Sequence, residues 1–158
     1  MAADHALARD LPSDQAVLRL YGWSGPTLSL GRNEPARGRY DPDLARRLGV
    51  ALVRRPTGGR AVLHHREVTY AVAAPVAPFG GLRSAYRAIN AALVRGLARL
   101  GVPAGLAGSD AAGGGLAPDA GACFRAPAPG EVVVGGRKLV GSAQVRFGGT
   151  LLQHGSIL

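Results

Sequence analysis

Cys123 is the only thiol in this chain of 158 residues, and Lys138 is its only lysine although Lys and Arg together number 19. Where arginine fills every other basic position, the surviving ammonium either marks chemistry that needs a compact cation able to shift its proton affinity, which a guanidinium cannot supply, or is a surface lysine kept by chance. A lone cysteine closes no internal disulfide, which leaves burial, metal binding or reactivity. The third concentration of chemistry runs from Arg54 to Tyr70. Two arginines lead into Pro56-Thr57-Gly58-Gly59, and Arg60-Ala61-Val62-Leu63-His64 follows. Glycine permits close backbone approach and exposes N–H groups, and the guanidinium groups add fixed donors, so the stretch suits an anionic or carbonyl-bearing ligand. The same composition fits an Arg-flanked β-hairpin turn. His64, His65 and Glu67 do not read as a metal cluster, because neighbours on a strand point to opposite faces. No metal is expected.

The elements that must position these residues can be read from periodicity. Ala2 to Leu7 reads as a short helix without a clear N-cap. Apolar residues alternate loosely from Ala16 to Trp23 and again over Thr27-Leu28-Ser29-Leu30, with Ser24-Gly25-Pro26 between them, which predicts a hairpin. Asp41-Pro42 supplies an N-cap and a proline at the first helical position of a short helix stopped by Gly49. Val50 to Arg55 predicts a strand leading into the glycine turn, and Ala61 to His64 and Val68 to Ala74 read as paired strands. Tyr86, Ile89, Leu93, Leu97 and Leu100 follow helical spacing and predict a helix over Ser84 to Leu100. A short strand is expected at Val102 to Leu106, then a Gly/Ala-rich surface loop from Gly108 to Gly121. Glu131 to Val134, Lys138 to Phe147 and Thr150 to Leu158 read as three strands separated by Gly135-Gly136 and Gly148-Gly149. Strands in hairpins with two or three helices predict an α+β fold, a mainly antiparallel (mixed) sheet flanked by helices, in a single domain over 1–158.

Composition narrows the function classes. With 47% apolar residues the chain can bury one core. Its apolar runs are interrupted well before the roughly 18 residues a membrane span needs, and no signal pattern follows Met1, so a cytoplasmic location and no membrane are expected. The net charge of +9 and pI near 11.2 come from scattered arginines without basic tracts or interleaved aromatics, which argues against nucleic acid and for an acidic protein partner steered by a positive field.

The motifs resemble those of the lipoate-protein ligase A and octanoyltransferase superfamily, which shares its fold with biotin-protein ligases. Arg54 to His64 matches Arg-Arg-x-[Ser/Thr]-Gly-Gly-x-Ala/Gly-Val-x-His, Lys138 to Gln144 matches Lys-x-x-Gly-Ser-Ala-Gln, and Leu152 to Leu158 matches Leu-Gln-His-Gly-Ser-Ile-Leu. The resemblance covers nearly the whole chain. It implies a class II biotin/lipoate ligase-like catalytic domain that is incomplete, with a first strand and a C-terminal continuation absent. It assigns catalysis to Cys123 and Lys138, and acyl or ligand binding to Arg55, Thr57, Gly58, Gly59, Arg60, Ala61, Val62, Leu63, His64, Gly141, Ser142, Ala143, Gln144, His154 and Gly155.

Within the superfamily, Cys123-Phe124-x-Ala126-Pro127 is similar to the octanoyltransferases that carry the acyl group on a cysteine, and Arg60 in place of a third glycine favours transfer over adenylation. The implied reaction moves an octanoyl group from acyl carrier protein through a Cys123 thioester to a lysine of a lipoyl-domain or glycine-cleavage-H-like acceptor protein. An ammonium beside a thiol increases its thiolate fraction, the role implied for Lys138. That reading needs no cofactor. The alternatives are a lipoate-protein ligase, which would need ATP and Mg, and a non-catalytic relative that binds a lipoyl domain or acyl ligand.

Overall fold

The computed structural model describes residues 1–108 and 127–158, and in them the alternating runs form two sheets. In chain order the elements are α1 (Ala2–Arg9), β1 (Val17–Tyr21), β2 (Thr27–Leu30), α2 (Pro42–Arg47), β3 (Ala51–Arg54), β4 (Val62–His64), β5 (Val68–Pro75), a 3-10 turn (Ala77–Phe79), α3 (Leu82–Arg99), β6 (Gly105–Leu106), β7 (Val132–Val134), β8 (Arg137–Phe147) and β9 (Thr150–Ile157). Strands β1, β5, β9, β8, β7 and β6 make one antiparallel sheet in that order, and β3, β2 and β4 make a smaller mixed one. The expected α+β class and mainly antiparallel sheet are borne out.

Two expected pairings, and the hairpin that the glycine stretch could have closed, are not formed. Val17–Tyr21 and Thr27–Leu30 are not a hairpin: β1 pairs with β5, Leu20 opposite Tyr70, and β2 belongs to the other sheet. Strands β4 and β5 do not pair either. Nor is the glycine stretch a hairpin turn, because β3 runs parallel to β2 with Leu52 opposite Leu28, whereas β4 runs antiparallel to β2 on its other side with Leu63 opposite Leu28. The chain between β2 and β3 contains α2, and a crossover of that length is what parallel neighbours require. Alternation fixes which face of a strand is buried, not which strand lies beside it.

The helices follow their local signals. Asp41 caps α2, its carboxylate accepting from the Asp43 and Leu44 backbone N–H groups at 2.9 and 3.1 Å. On α3, Ile89 and Leu97 are buried as expected, together with Ala85 and Asn90, but Leu100 is exposed because the helix ends at Arg99. The strand expected at Val102 to Leu106 shortens to Gly105–Leu106.

The middle of the large sheet is covered on both faces, and β9 shows how. Leu151 packs with Tyr70, Ala85, Ile89 and Val140 under α3, whereas Leu152 packs with Ala8, Ala71, Ala73 and Val145 under α1. Buried Asp4 ties α1 to β1 by accepting from Arg19 and, at 2.7 Å, from the Tyr21 hydroxyl. The same period of two carries polar residues: Gln153 falls on the Leu151 side, and His154 and Ser156 fall on the other.

Candidate active site

On the small sheet, Ser29 and His64 share one face, since Ser29 lies opposite Val62 and Thr27 opposite His64. That face meets the His154–Ser156 side of β9 and the start of β8. Between them is a cavity of about 80 Å³. Its walls include the apolar or small residues Val62, Gly141, Ala143 and Gly155, and the polar residues Arg55, His64, Lys138 and His154. That lining sets small and apolar surface beside polar and basic side chains.

Two glycines make the close packing possible. A Cβ at Gly155 would lie 2.3 Å from the Gly141 carbonyl oxygen and 2.8 Å from Tyr70 Cε1, and one at Gly31 would lie 1.8 Å from the Gly59 carbonyl oxygen. Gly155 therefore lets β8 and β9 close against Tyr70, and Gly31 lets the end of β2 sit against the glycine turn.

The two arginines before that turn spend donors on the chain itself. Arg54 Nη1 donates to the carbonyls of Gly31, Arg32 and Glu34 at 2.6, 3.2 and 2.9 Å. Buried Arg55 donates to the carbonyls of Ser29, Gly58 and Arg60 at 2.8, 2.9 and 2.6 Å, and to Ser29 Oγ at 3.1 Å. Arg55 shapes the turn as well as lining the cavity.

His64 Nε2 is 2.7 Å from Ser29 Oγ and its Nδ1 is 2.5 Å from Glu67 Oε1. The Trp23 ring stacks on its imidazole at 4.3 Å. Glu67 Oε1 also accepts from Ser156 Oγ at 2.6 Å and Thr69 Oγ1 at 3.1 Å. Burial alone would raise the Glu67 carboxyl, but the bonds from His64, Ser156 and Thr69 hold it below the usual carboxylate range. His154 contrasts with this. Its Nε2 is 2.7 Å from Thr57 Oγ1, while buried Nδ1 has no hydrogen-bond partner among the described residues. Burial, offset by Asp4 and reinforced by Arg55, pushes this imidazole down to about 4, so it is neutral at physiological pH. On the remaining wall, the Lys138 ammonium, only 8% exposed, donates to Glu131 Oε1 at 2.8 Å, and Glu131 Oε2 accepts from the Ala128 backbone N–H at 2.9 Å.

Most residues singled out from the sequence converge here. Arg55, Gly59, Val62, His64, Lys138, Gly141, Ser142, Ala143, His154 and Gly155 line the cavity. Thr57, Gly58, Arg60 and Ala61 support the turn without lining it. Leu63 does not belong to the site: as the neighbour of Val62 and His64 on β4 it points the other way and is 59% exposed. Gln144 is also displaced from the cavity. Its amide lies 2.8 Å from that of Gln153, within a buried polar cluster under α3 that includes Tyr70, Asn90 and Ser142. Cys123 and most of the Gly108 to Gly121 stretch lie outside the described residues. His65 is exposed and away from His64, and among the described residues no group of three or more metal-ligating side chains occurs.

Sequence reasoning missed Ser29, Thr69, Ser156 and Glu67 as members of the site. Glu67 was weighed only as a metal ligand. The signal for Ser29 was its place, with Thr27, on the polar half of an alternating strand, and the signal for Ser156 was its two-residue spacing from His154.

The chain spans about 60% of the length of the curated relatives it matches. It is 49% identical, over its whole length, to the octanoyltransferase LipM of Kyrpidia tusciae, of which it covers 60%. Among solved structures it is similar to a lipoate-protein ligase A bound with ATP, with a TM-score of 0.80 and 25% identity over 99% of this chain and 60% of that one. It is also similar to a bi-partite lipoate protein ligase from Thermoplasma acidophilum, studied with its E2 lipoyl domain, with a TM-score of 0.71 and 25% identity over 99% and 55% of the two chains. The family model for the lipoyl protein ligase A/B catalytic domain matches residues 1–158, and with the three motifs gathered around one cavity the conclusion is that the chain belongs to the lipoyl protein ligase A/B catalytic domain family.

Proposed function

We propose that the chain is the catalytic part of an octanoyltransferase that moves an octanoyl group from octanoyl-acyl carrier protein to a lysine of a lipoyl-accepting protein, in the cytoplasm. The observation that carries this reading is the 49% identity, along the whole chain, to an octanoyltransferase. The cavity supports it by joining small apolar walls to a buried ammonium. In the reaction the Cys123 thiolate attacks the octanoyl thioester, a new C–S bond forms, and the carrier thiolate leaves and takes up a proton. The acceptor amine then attacks the Cys123 thioester, loses a proton and forms the amide as the Cys123 thiolate departs. The first step exchanges like bonds, and the amide makes the second favourable. Lys138 supplies a positive charge that favours the thiolate forms.

The test supplies octanoyl-acyl carrier protein in one reaction and free octanoate with ATP and magnesium in another, and follows amide formation on a lipoyl domain by mass. Product is expected only in the first, together with a hydroxylamine-labile adduct on the enzyme that Cys123→Ala abolishes. Product only in the second, with Cys123→Ala as active as the parent, would replace transfer by ligation.

A further inference from the structure

Glu67, His64, Ser29 and Arg55 come from the lead into β5, from β4, from β2 and from the glycine turn, and they form one line of hydrogen bonds. An ionised carboxylate only accepts, so His64 Nδ1 carries the proton toward Glu67. In the neutral ring Nε2 then accepts from the Ser29 hydroxyl, and Ser29 Oγ accepts from Arg55. Every bond in the line points the same way, from a guanidinium to a carboxylate, and such chains polarise and strengthen one another.

A serine, a histidine and a glutamate at 2.7 and 2.5 Å invite comparison with a hydrolytic triad. Ser29 is not placed to act as one. Its residue has no exposed surface, and one of the two lone pairs of its oxygen already receives the Arg55 N–H at 3.1 Å. The serine is a link. What lies beyond it is the turn, since Arg55 holds the Gly58 and Arg60 carbonyls. The opposite end is anchored to the large sheet, because Ser156 of β9 and Thr69 of β5 donate to Glu67, and Trp23, whose Nε1 donates to Thr69 Oγ1 at 2.7 Å, fixes the plane of the His64 ring.

We propose that Glu67 is a positioning residue for acyl transfer: through His64 and Ser29 it sets Arg55, and so fixes the Gly58–Arg60 turn, whose Gly59 lines the cavity. The kinetic part rests on the proposed transferase reading; the structural part does not. Glu67 never meets the acyl group in this scheme. Its loss loosens the wall that receives the donor, which costs ground-state and transition-state binding alike and is read in KM rather than kcat.

The experiment compares the protein with Glu67→Ala, Glu67→Gln and Ser29→Ala, using three readouts: His64 ring nitrogen shifts by NMR, amide exchange at Gly58, Gly59 and Arg60, and steady-state transfer from octanoyl-acyl carrier protein. In the parent the line of bonds calls for the Nδ1–H tautomer of His64, which the ring shifts read out. Glu67→Ala is expected to release that tautomer, speed turn exchange, and raise KM about tenfold with little change in kcat, the pattern of lost uniform binding. Glu67→Gln keeps an acceptor oxygen and restores most of all three. Ser29→Ala cuts the line beyond His64, so it keeps the tautomer yet reproduces the faster turn exchange and the KM of Glu67→Ala. A folded Glu67→Ala with the parental tautomer and exchange would overturn the proposal, as would Ser29→Ala with parental exchange. If Glu67→Ala does not fold, the Gln and Ser29 variants decide. If the tautomer and exchange respond as stated but the parent transfers no octanoyl group, the linkage stands and the transferase reading falls.

Discussion

Two histidines line one cavity and are held in opposite ways. His64 is engaged at both nitrogens and packed under Trp23, whereas His154 has one nitrogen bonded and one without a partner in a buried setting. The depressed value of His154, about 4, makes stability depend on pH. In the unfolded chain this histidine titrates near its ordinary value, so between about 6.5 and 4 the unfolded state binds more protons. The contribution is fully present above about 6.5 and is lost as pH falls toward 4. Unfolding by urea at pH 7.5 and 5.0 should therefore differ by on the order of 2 kcal/mol, with the protein weaker at the lower pH. His154→Gln should flatten that slope, and an unchanged slope in the variant would show that other groups carry it. Glu67, whose carboxyl is held low, acts with the same sign at more acidic pH: its contribution is present above the ordinary carboxylate value and fades below it.

The element that organises the rest is β9, which pairs with β5 on one side and β8 on the other and sends alternate residues to two different environments. Its glycine is a packing requirement. Gly155→Ala would drive a methyl group into the Gly141 backbone, so β8 and β9 must part, and a loss of about 1–3 kcal/mol is expected. Gly105→Ala, on the edge strand β6, meets nothing within 4 Å and should stay within about 0.5 kcal/mol of the parent. Equal effects of the two substitutions on the urea midpoint would refute the packing argument. At this scale the helices were legible in the sequence, because caps and a repeat of three to four residues are local. Asp41 with Pro42 marks α2, and Ile89, Leu93 and Leu97 mark α3. Asn90 was not legible as a buried residue. It is buried on the sheet-facing side of α3, where its amide donates to the Gly130 carbonyl at 2.8 Å and accepts from Gln153 at 2.9 Å, partners 40 and 63 residues away.

For the whole molecule the relevant quantity is net charge, +9. Under the proposed function this field meets an acidic acyl carrier protein, so kcat/KM for transfer should fall steeply as ionic strength rises above the level at which the Debye length is about 10 Å, with kcat changing little. A salt-independent kcat/KM would show that the charge has no part in encounter. The sequence by itself determined the family, the class of fold and most of the cavity's inventory, because motif residues such as Arg55, His64, Lys138 and His154 are identified by type and short spacing. Along single strands, period-two alternation also sorts buried from exposed positions. Tertiary structure alone decided which strands are neighbours, and with that the split of β1 and β2 into separate sheets and the outward turn of Leu63. It also decided what the polar residues do. Ser29 becomes a link between Arg55 and His64, and Glu67 a carboxylate shared by His64, Thr69 and Ser156, because each depends on atoms brought together from distant positions in the chain. The physical reason is that a hydrogen bond is specified by distance and direction between two groups, whereas the sequence specifies the groups one at a time.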